Sequence, residues 1–142
     1  MIDSAPVSDL IRVRYGETDQ MGHAYYGNYF LWFEQARGAW CRSRGFNYSD
    51  MEALGFKLPC VEAHAEYKRE ILYDDVIDVR VSVAETKRAS IKFTYEIYNT
   101  RTGLLTTTGY TWHVVIGPER KAVTIPPVIR EWLERTPEIP ST

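Results

Sequence analysis

One helical segment in a chain otherwise patterned as strands most constrains the fold. From about Asn28 to Gly45, Tyr29, Trp32, Phe33, Ala36 and Trp40 recur at three- and four-residue steps, the spacing that places side chains on one face of a helix. A helix of this span is roughly 27 Å long. Its opening run, Tyr29-Phe30-Leu31-Trp32-Phe33, is apolar nearly all round, so burial on most sides is required. Gly45 supplies the stop.

The rest of the chain alternates. Leu10–Tyr15 sets Ile11, Val13 and Tyr15 against Arg12 and Arg14, which predicts a strand. Leu58–Arg69 sets Val61, Ala63, Ala65 and Tyr67 against Glu62, His64, Glu66 and Lys68, and Val76–Glu85, Ile91–Tyr98 and Leu104–Ile116 follow the same rule. A helical turn is predicted at Ser49–Leu54 with Ser49 as its cap, a short last strand at Ala122–Ile125, and a terminal helix at Pro126–Arg135. The ends, Met1–Ser8 and Thr136–Thr142, are expected to be loose. Strands with one apolar and one polar face beside one long apolar helix predict an α+β fold, an antiparallel sheet wrapped around that helix. Residues 1–142 make one domain, with a core over about residues 10–135.

A net charge of −2 provides no global basic field, so neither nucleic acid nor an anionic membrane is an expected partner. The N-terminus lacks a basic start followed by an apolar run, and no later segment is long enough to span a bilayer; cytoplasm is the expected location. Cys41 and Cys60 lack redox or zinc spacing and are expected to be buried small hydrophobes. His64 and His113 fall on the more polar faces of their strands, and with Glu62 they match no metal-ligand spacing, so no metal is expected.

The chemistry concentrates in the irregular stretch ahead of the helix, Arg14-Tyr15-Gly16-Glu17-Thr18-Asp19-Gln20-Met21-Gly22-His23-Ala24-Tyr25-Tyr26-Gly27-Asn28. A helix N-terminus offers unpaired backbone N–H groups and a partial positive charge. A carbonyl placed there would be polarised, and Asp19 could attack its carbon or deprotonate a water. The same pattern also fits two acids, Glu17 and Asp19, that only answer the helix dipole.

This segment, with its Tyr-x-x-Thr-Asp-x-x-Gly lead into an Asn-Tyr helix start, resembles the signature of the 4-hydroxybenzoyl-CoA thioesterase family of hotdog proteins. Leu58-Pro59-Cys60-Val61-Glu62-Ala63-His64, then Tyr73-Asp74-Asp75, and then Lys87-Arg88-Ala89-Ser90 match later parts of the same pattern, over about residues 10–125. The resemblance implies a hotdog fold, an acyl-CoA substrate cleaved to a free carboxylic acid and CoA, and no cofactor. It further implies a homo-oligomer, a dimer with active sites at its interface or a dimer of dimers (a homotetramer). Asp19 takes the place of the family's catalytic carboxylate, as nucleophile or general base. Tyr26 stands where some members carry His, which leaves the nearby backbone N–H as the carbonyl polariser. His23 would orient Asp19 or a water, or serve only as a loop residue bonded to backbone. Tyr15, Gly22 and Val61 would line the substrate pocket, while Lys87, Arg88 and Ser90 would meet the CoA phosphates or else form a solvated turn. Two rivals share the fold: an acyl-thioester hydratase or dehydratase, whose Asp-x-Asn-x-x-His spacing is missing here, and a non-catalytic acyl-CoA binding protein.

Overall fold

The computed structural model describes residues 2–137. Five antiparallel strands form one sheet: β1 (Val7–Arg12), β2 (Cys60–Tyr67), β3 (Val76–Thr86), β4 (Ser90–Asn99) and β5 (Leu105–Val114), in the order β1-β3-β4-β5-β2. Helix α1 (Tyr29–Ser43) lies across the inner face, α2 (Tyr48–Ala53) follows it, and α3 (Pro127–Glu134) closes the described chain. This is the expected α+β hotdog arrangement. No helix among the described residues is long and apolar enough to cross a membrane.

The helix buries the stripe foreseen from its spacing: Tyr29, Trp32, Phe33, Ala36 and Trp40 are all inside, with Cys41. Phe33 stacks on Tyr95 of β4 at 4.1 Å, and Trp40 meets the edge of Phe93 at 5.7 Å. Each large side chain buried in this way contributes about 1.5–3 kcal/mol. The approach is close enough to dictate a glycine: a Cβ at Gly109 of β5 would lie 2.7 Å from the Phe33 ring.

Several local expectations shift. The first strand runs over Val7–Arg12 rather than Leu10–Tyr15, because its partner is Val76–Val81 and the chain turns away at Val13, whose N–H reaches Asp75 O. Val7 and Ser8, expected in a loose end, are therefore paired, and Tyr15 opens a 3-10 turn, Tyr15–Glu17, instead of facing the core. Asn47, not Ser49, caps α2: its side chain accepts from Asp50 N–H while the Asp50 carboxylate accepts from Asn47 N–H. Residues 122–125 contribute one bridge, Ala122 to Ile116, and no strand. His113 is buried, because its face of β5 is the inner one, and burial, with the Arg37 charge, lowers its pKa to about 4. Cys60 is exposed, unlike Cys41, because β2 is an edge strand and nearly all of it is open to solvent. Within the expected loose tail, Met1 and residues 138–142 lie outside the described residues.

The turn after β4 is clamped by one carboxylate. Asp75 is buried; it accepts from Arg101 Nε at 2.7 Å and Nη2 at 3.2 Å, from Asn99 Nδ2 at 2.8 Å and from Leu72 N–H at 2.9 Å. The Arg101 hydrogen bond leads in holding its pKa at about 2, below the ordinary 3.8, against the opposing effect of burial. A carboxyl group depressed in the folded state contributes stability that is complete above its unfolded value and fades as pH falls through the folded one. Thermal midpoints of the wild type should therefore drop between about pH 4 and pH 2. Asp75→Asn should melt lower at pH 7 and lose part of that acid dependence; an unchanged pH profile would show the clamp to be inert.

Candidate active site

The stretch ahead of α1 is held by a buried acid. Glu17 accepts from the Trp32 indole N–H and from Arg14 N–H, each at 2.8 Å, while its carbonyl accepts from Tyr25 N–H at 2.8 Å and Asn28 Nδ2 at 2.7 Å. An indole N–H taken into a core needs an acceptor, and Glu17 answers that need while fixing both ends of the loop to α1. Glu17 is thus neither a solvent-facing dipole partner nor a reacting group. The buried Trp32 was the sequence signal that could have found it.

Between those anchors the chain makes a tight reversal. Asp19 N–H donates to His23 O and Gly22 N–H donates to Asp19 O, both at 3.0 Å, with Gly22 at φ +86°. That conformation favours glycine, so Gly22 serves the turn and does not line the cavity. Ala24 N–H then reaches Ile71 O at 2.7 Å, which pins the reversal beside the segment after β2.

Asp19 sits at a cavity of about 320 Å³ together with Met21, His23, Ala24, Tyr26, Tyr29, Tyr67, Lys68, Arg69 and Glu70, a volume in the range of small-molecule sites. One carboxylate oxygen, Oδ1, accepts from Met21 N–H at 2.9 Å; Oδ2 has no partner among the described residues. His23 Nδ1 lies 3.3 Å from Ala24 O. A 3-10 turn, Tyr26–Asn28, leads into α1. Among the described residues the N–H groups of Tyr26 and Gly27 have no acceptor. Tyr29 is buried, and burial, followed by the neighbouring Tyr67, pushes its phenol up to about 12. It therefore stays neutral.

Three of the nine residues singled out from sequence, Asp19, His23 and Tyr26, meet here. Val61, Lys87 and Ser90 gather elsewhere, around a shallow cavity of about 330 Å³ with Glu62, Trp112 and Val114. Lys87 Nζ lies 4.7 Å from the centre of the Trp112 ring, a cation–π contact rather than a bare solvated turn. Arg88 Nη1 donates to Thr124 Oγ1 at 3.0 Å. Tyr15 lies outside both cavities, exposed, with its ring edge-on to Tyr73 at 5.6 Å. Tyr29, Tyr67, Lys68 and Arg69 line the cavity without being singled out by the sequence pattern. The last three come from the far end of β2, and only the folded chain brings that end to the loop.

Residues 13–133 match the model of the Thioesterase-like superfamily. A crystal structure of a hypothetical protein, AQ1494 from Aquifex aeolicus, superposes with a TM-score of 0.85 at 34% identity, over 90% of this chain and 99% of that one. The DHNA-CoA thioesterase of Staphylococcus aureus superposes with a TM-score of 0.83 at 35% identity, over 89% and 85%. The gentisyl-coenzyme A thioesterase BH1999 gives 0.79 at 26% identity, over 87% and 99%.

Removing the Glu17 carboxylate should loosen the loop that carries Asp19. Glu17→Ala leaves the Trp32 and Arg14 N–H groups without an acceptor and should cost about 1–3 kcal/mol in urea denaturation. Glu17→Gln, which keeps an oxygen for the indole, should recover most of the loss. Equal stability of the two variants would show that the bond does not hold the loop.

Proposed function

The chain belongs to the thioesterase-like superfamily and is a thioester hydrolase; on that premise we propose that it cleaves acyl-CoA thioesters with Asp19 as its catalytic carboxylate. The observation that carries the assignment is the pairing at one cavity of a carboxylate with a free oxygen and, at the adjoining helix start, two backbone N–H groups without acceptors among the described residues. In this reading the thioester oxygen accepts from the N–H groups of Tyr26 and Gly27, which stabilise the charge that builds as the carbonyl carbon becomes tetrahedral. Asp19 either takes a proton from the attacking water or attacks the carbon itself, forming a mixed anhydride that water then opens. The electron pair of the broken C–S bond leaves with CoA thiolate. His23, at the same cavity, would orient the water.

The acyl group is where the relatives help. Two of them are named for aromatic acyl-CoAs, DHNA-CoA and gentisyl-CoA, and the rings of Tyr26, Tyr29 and Tyr67 line the cavity beside Asp19. An aromatic acyl group is thus the first class to try. Lys87, Arg88 and Ser90 are assigned to the nucleotide end of CoA, with Lys87 and Ser90 at their own shallow cavity. The proposal includes a dimer built through β2. That strand pairs on one side only, with β5, and carries Val61 and Tyr67 exposed; an open apolar edge is a template for a second copy.

Thiol release from a panel of acyl- and aroyl-CoAs, benzoyl-CoA included, tests the assignment. Asp19→Asn should lower turnover by about 10²- to 10⁴-fold while leaving substrate binding in place, and undiminished turnover would remove Asp19 from the mechanism. Hydration of crotonyl-CoA without thiol release would favour a hydratase. Binding without either reaction would favour a carrier. Single turnover in heavy-oxygen water reports the carbon that water attacks: label in the Asp19 carboxylate supports an anhydride opened at the aspartyl carbon, and label in the released acid alone supports attack of water at the acyl carbon. Sedimentation should give twice the chain mass or a multiple of it; a monomer at assay concentration would exclude the β2-mediated dimer.

A further inference from the structure

A second cavity, of about 360 Å³, opens beside α1 and is lined by Glu34, Arg37, Tyr48, Met51, Glu52, Phe56, Lys57, Leu58, Pro59 and Ile116. It shares no residue with the cavity at Asp19. Its polar floor is unusual. Arg37 is half-buried, yet its bonds go to two phenols: Nε donates to the Tyr48 hydroxyl at 3.2 Å and Nη1 to the Tyr95 hydroxyl at 3.1 Å. Glu34 and Glu52 line the same cavity, but both are exposed and neither forms an ion pair with Arg37. Nη2 has no protein partner among the described residues.

The groups behind the guanidinium carry no compensating charge. Tyr95 is pushed up to about 12, chiefly by burial, and its hydroxyl is engaged with Thr111 Oγ1 at 2.6 Å. His113, 2.9 Å from the same Thr111 oxygen, is held neutral to about pH 4 by burial and by Arg37. Tyr48 is also raised, mainly by burial, so it remains a phenol. A guanidinium donates and cannot accept. The Tyr48 oxygen accepts from Arg37, and its own proton has no acceptor among the described residues. The floor formed by Arg37 and Tyr48 therefore presents donors, with Met51, Phe56, Leu58 and Ile116 as apolar walls and the exposed Glu34, Glu52 and Lys57 also in the lining. Partly desolvating a cation whose partners are all neutral is costly, and a ligand that supplies an anionic acceptor with an apolar body offsets that cost.

We propose that this cavity binds a small organic carboxylate, its oxygens on Arg37 and the Tyr48 hydroxyl and its apolar body against Met51, Phe56 and Leu58. A free carboxylate is the class of molecule that thioester hydrolysis releases. The site itself does not depend on that activity, since occupancy is read without turnover.

Calorimetric titration of the full chain with benzoate, against benzamide as its neutral counterpart, tests the proposal. Benzoate should bind about 10- to 100-fold more tightly than benzamide, as a charge-assisted pair requires. Arg37→Met should abolish that preference. Because Arg37 also holds two tyrosines, Tyr48→Phe serves as the milder variant. It leaves the guanidinium in place and should weaken benzoate several-fold with an unchanged circular dichroism spectrum. Asp19→Asn should leave the affinity as it was. Equal binding of benzoate and benzamide, no binding of benzoate at millimolar concentration, or a loss caused by Asp19→Asn and not by Tyr48→Phe would each overturn the assignment. None of these outcomes bears on thiol release, so failure here and failure of the hydrolytic assignment are read separately.

Discussion

Helix α1 buries Trp32, Phe33, Ala36 and Trp40 against the inner face of the sheet, and the positions of the remaining elements follow from that contact. The Phe33 ring lies so close to β5 that residue 109 has room for no side chain. With the helix seated this way, its N-terminus emerges at one end of the sheet, and the loop carrying Asp19 must be tied there. The Glu17–Trp32 hydrogen bond makes that tie by meeting a need the core itself creates, the buried indole N–H. The packing of the core and the position of the candidate active site are thus connected through one carboxylate.

The polar groups inside the fold divide by how completely they are satisfied. Asp75 is saturated by Arg101, Asn99 and Leu72 and acts as a clamp on a turn. Glu17 is saturated too, and works as a loop anchor. Arg37 differs: its partners are neutral and part of its donor capacity is unspent. Buried polar groups that are fully bonded serve the fold, while those left with unused capacity beside a cavity point to a ligand. The same distinction separates the two oxygens of Asp19, one held by Met21 N–H and one without a partner among the described residues.

Strand β2 joins the candidate site to an open edge of the sheet. Its far end supplies Tyr67 and leads into Lys68 and Arg69 at the Asp19 cavity, while its outer edge has no neighbouring strand among the described residues. A strand paired with that edge would lie near the cavity at Asp19. Covering β2 would therefore change the shape of the site as well as remove Val61 from water.

The sequence by itself determined most of the elements and singled out the candidate stretch ahead of α1. Spacing along Tyr29, Trp32, Phe33, Ala36 and Trp40 predicts the helix and its buried face, because apolar residues at a period near 3.6 line up on one side of a helix and would scatter over both faces of a strand. Alternation predicts the strands to within a few residues, and the Asp19–His23–Tyr26 run is legible because its residues are close in the chain. Tertiary structure alone decided the rest. Cys60 is exposed although its residue type predicts burial, because β2 lies at the edge of the sheet, and His113 is buried because alternation tells two faces apart without saying which one turns inward. Tyr67, Lys68 and Arg69 share a cavity with Asp19 where the Ala24–Ile71 hydrogen bond docks the loop beside the segment after β2, and Arg37 meets Tyr95 only once the helix lies on β4. Such contacts join residues dozens of positions apart, and local periodicity carries no information about them.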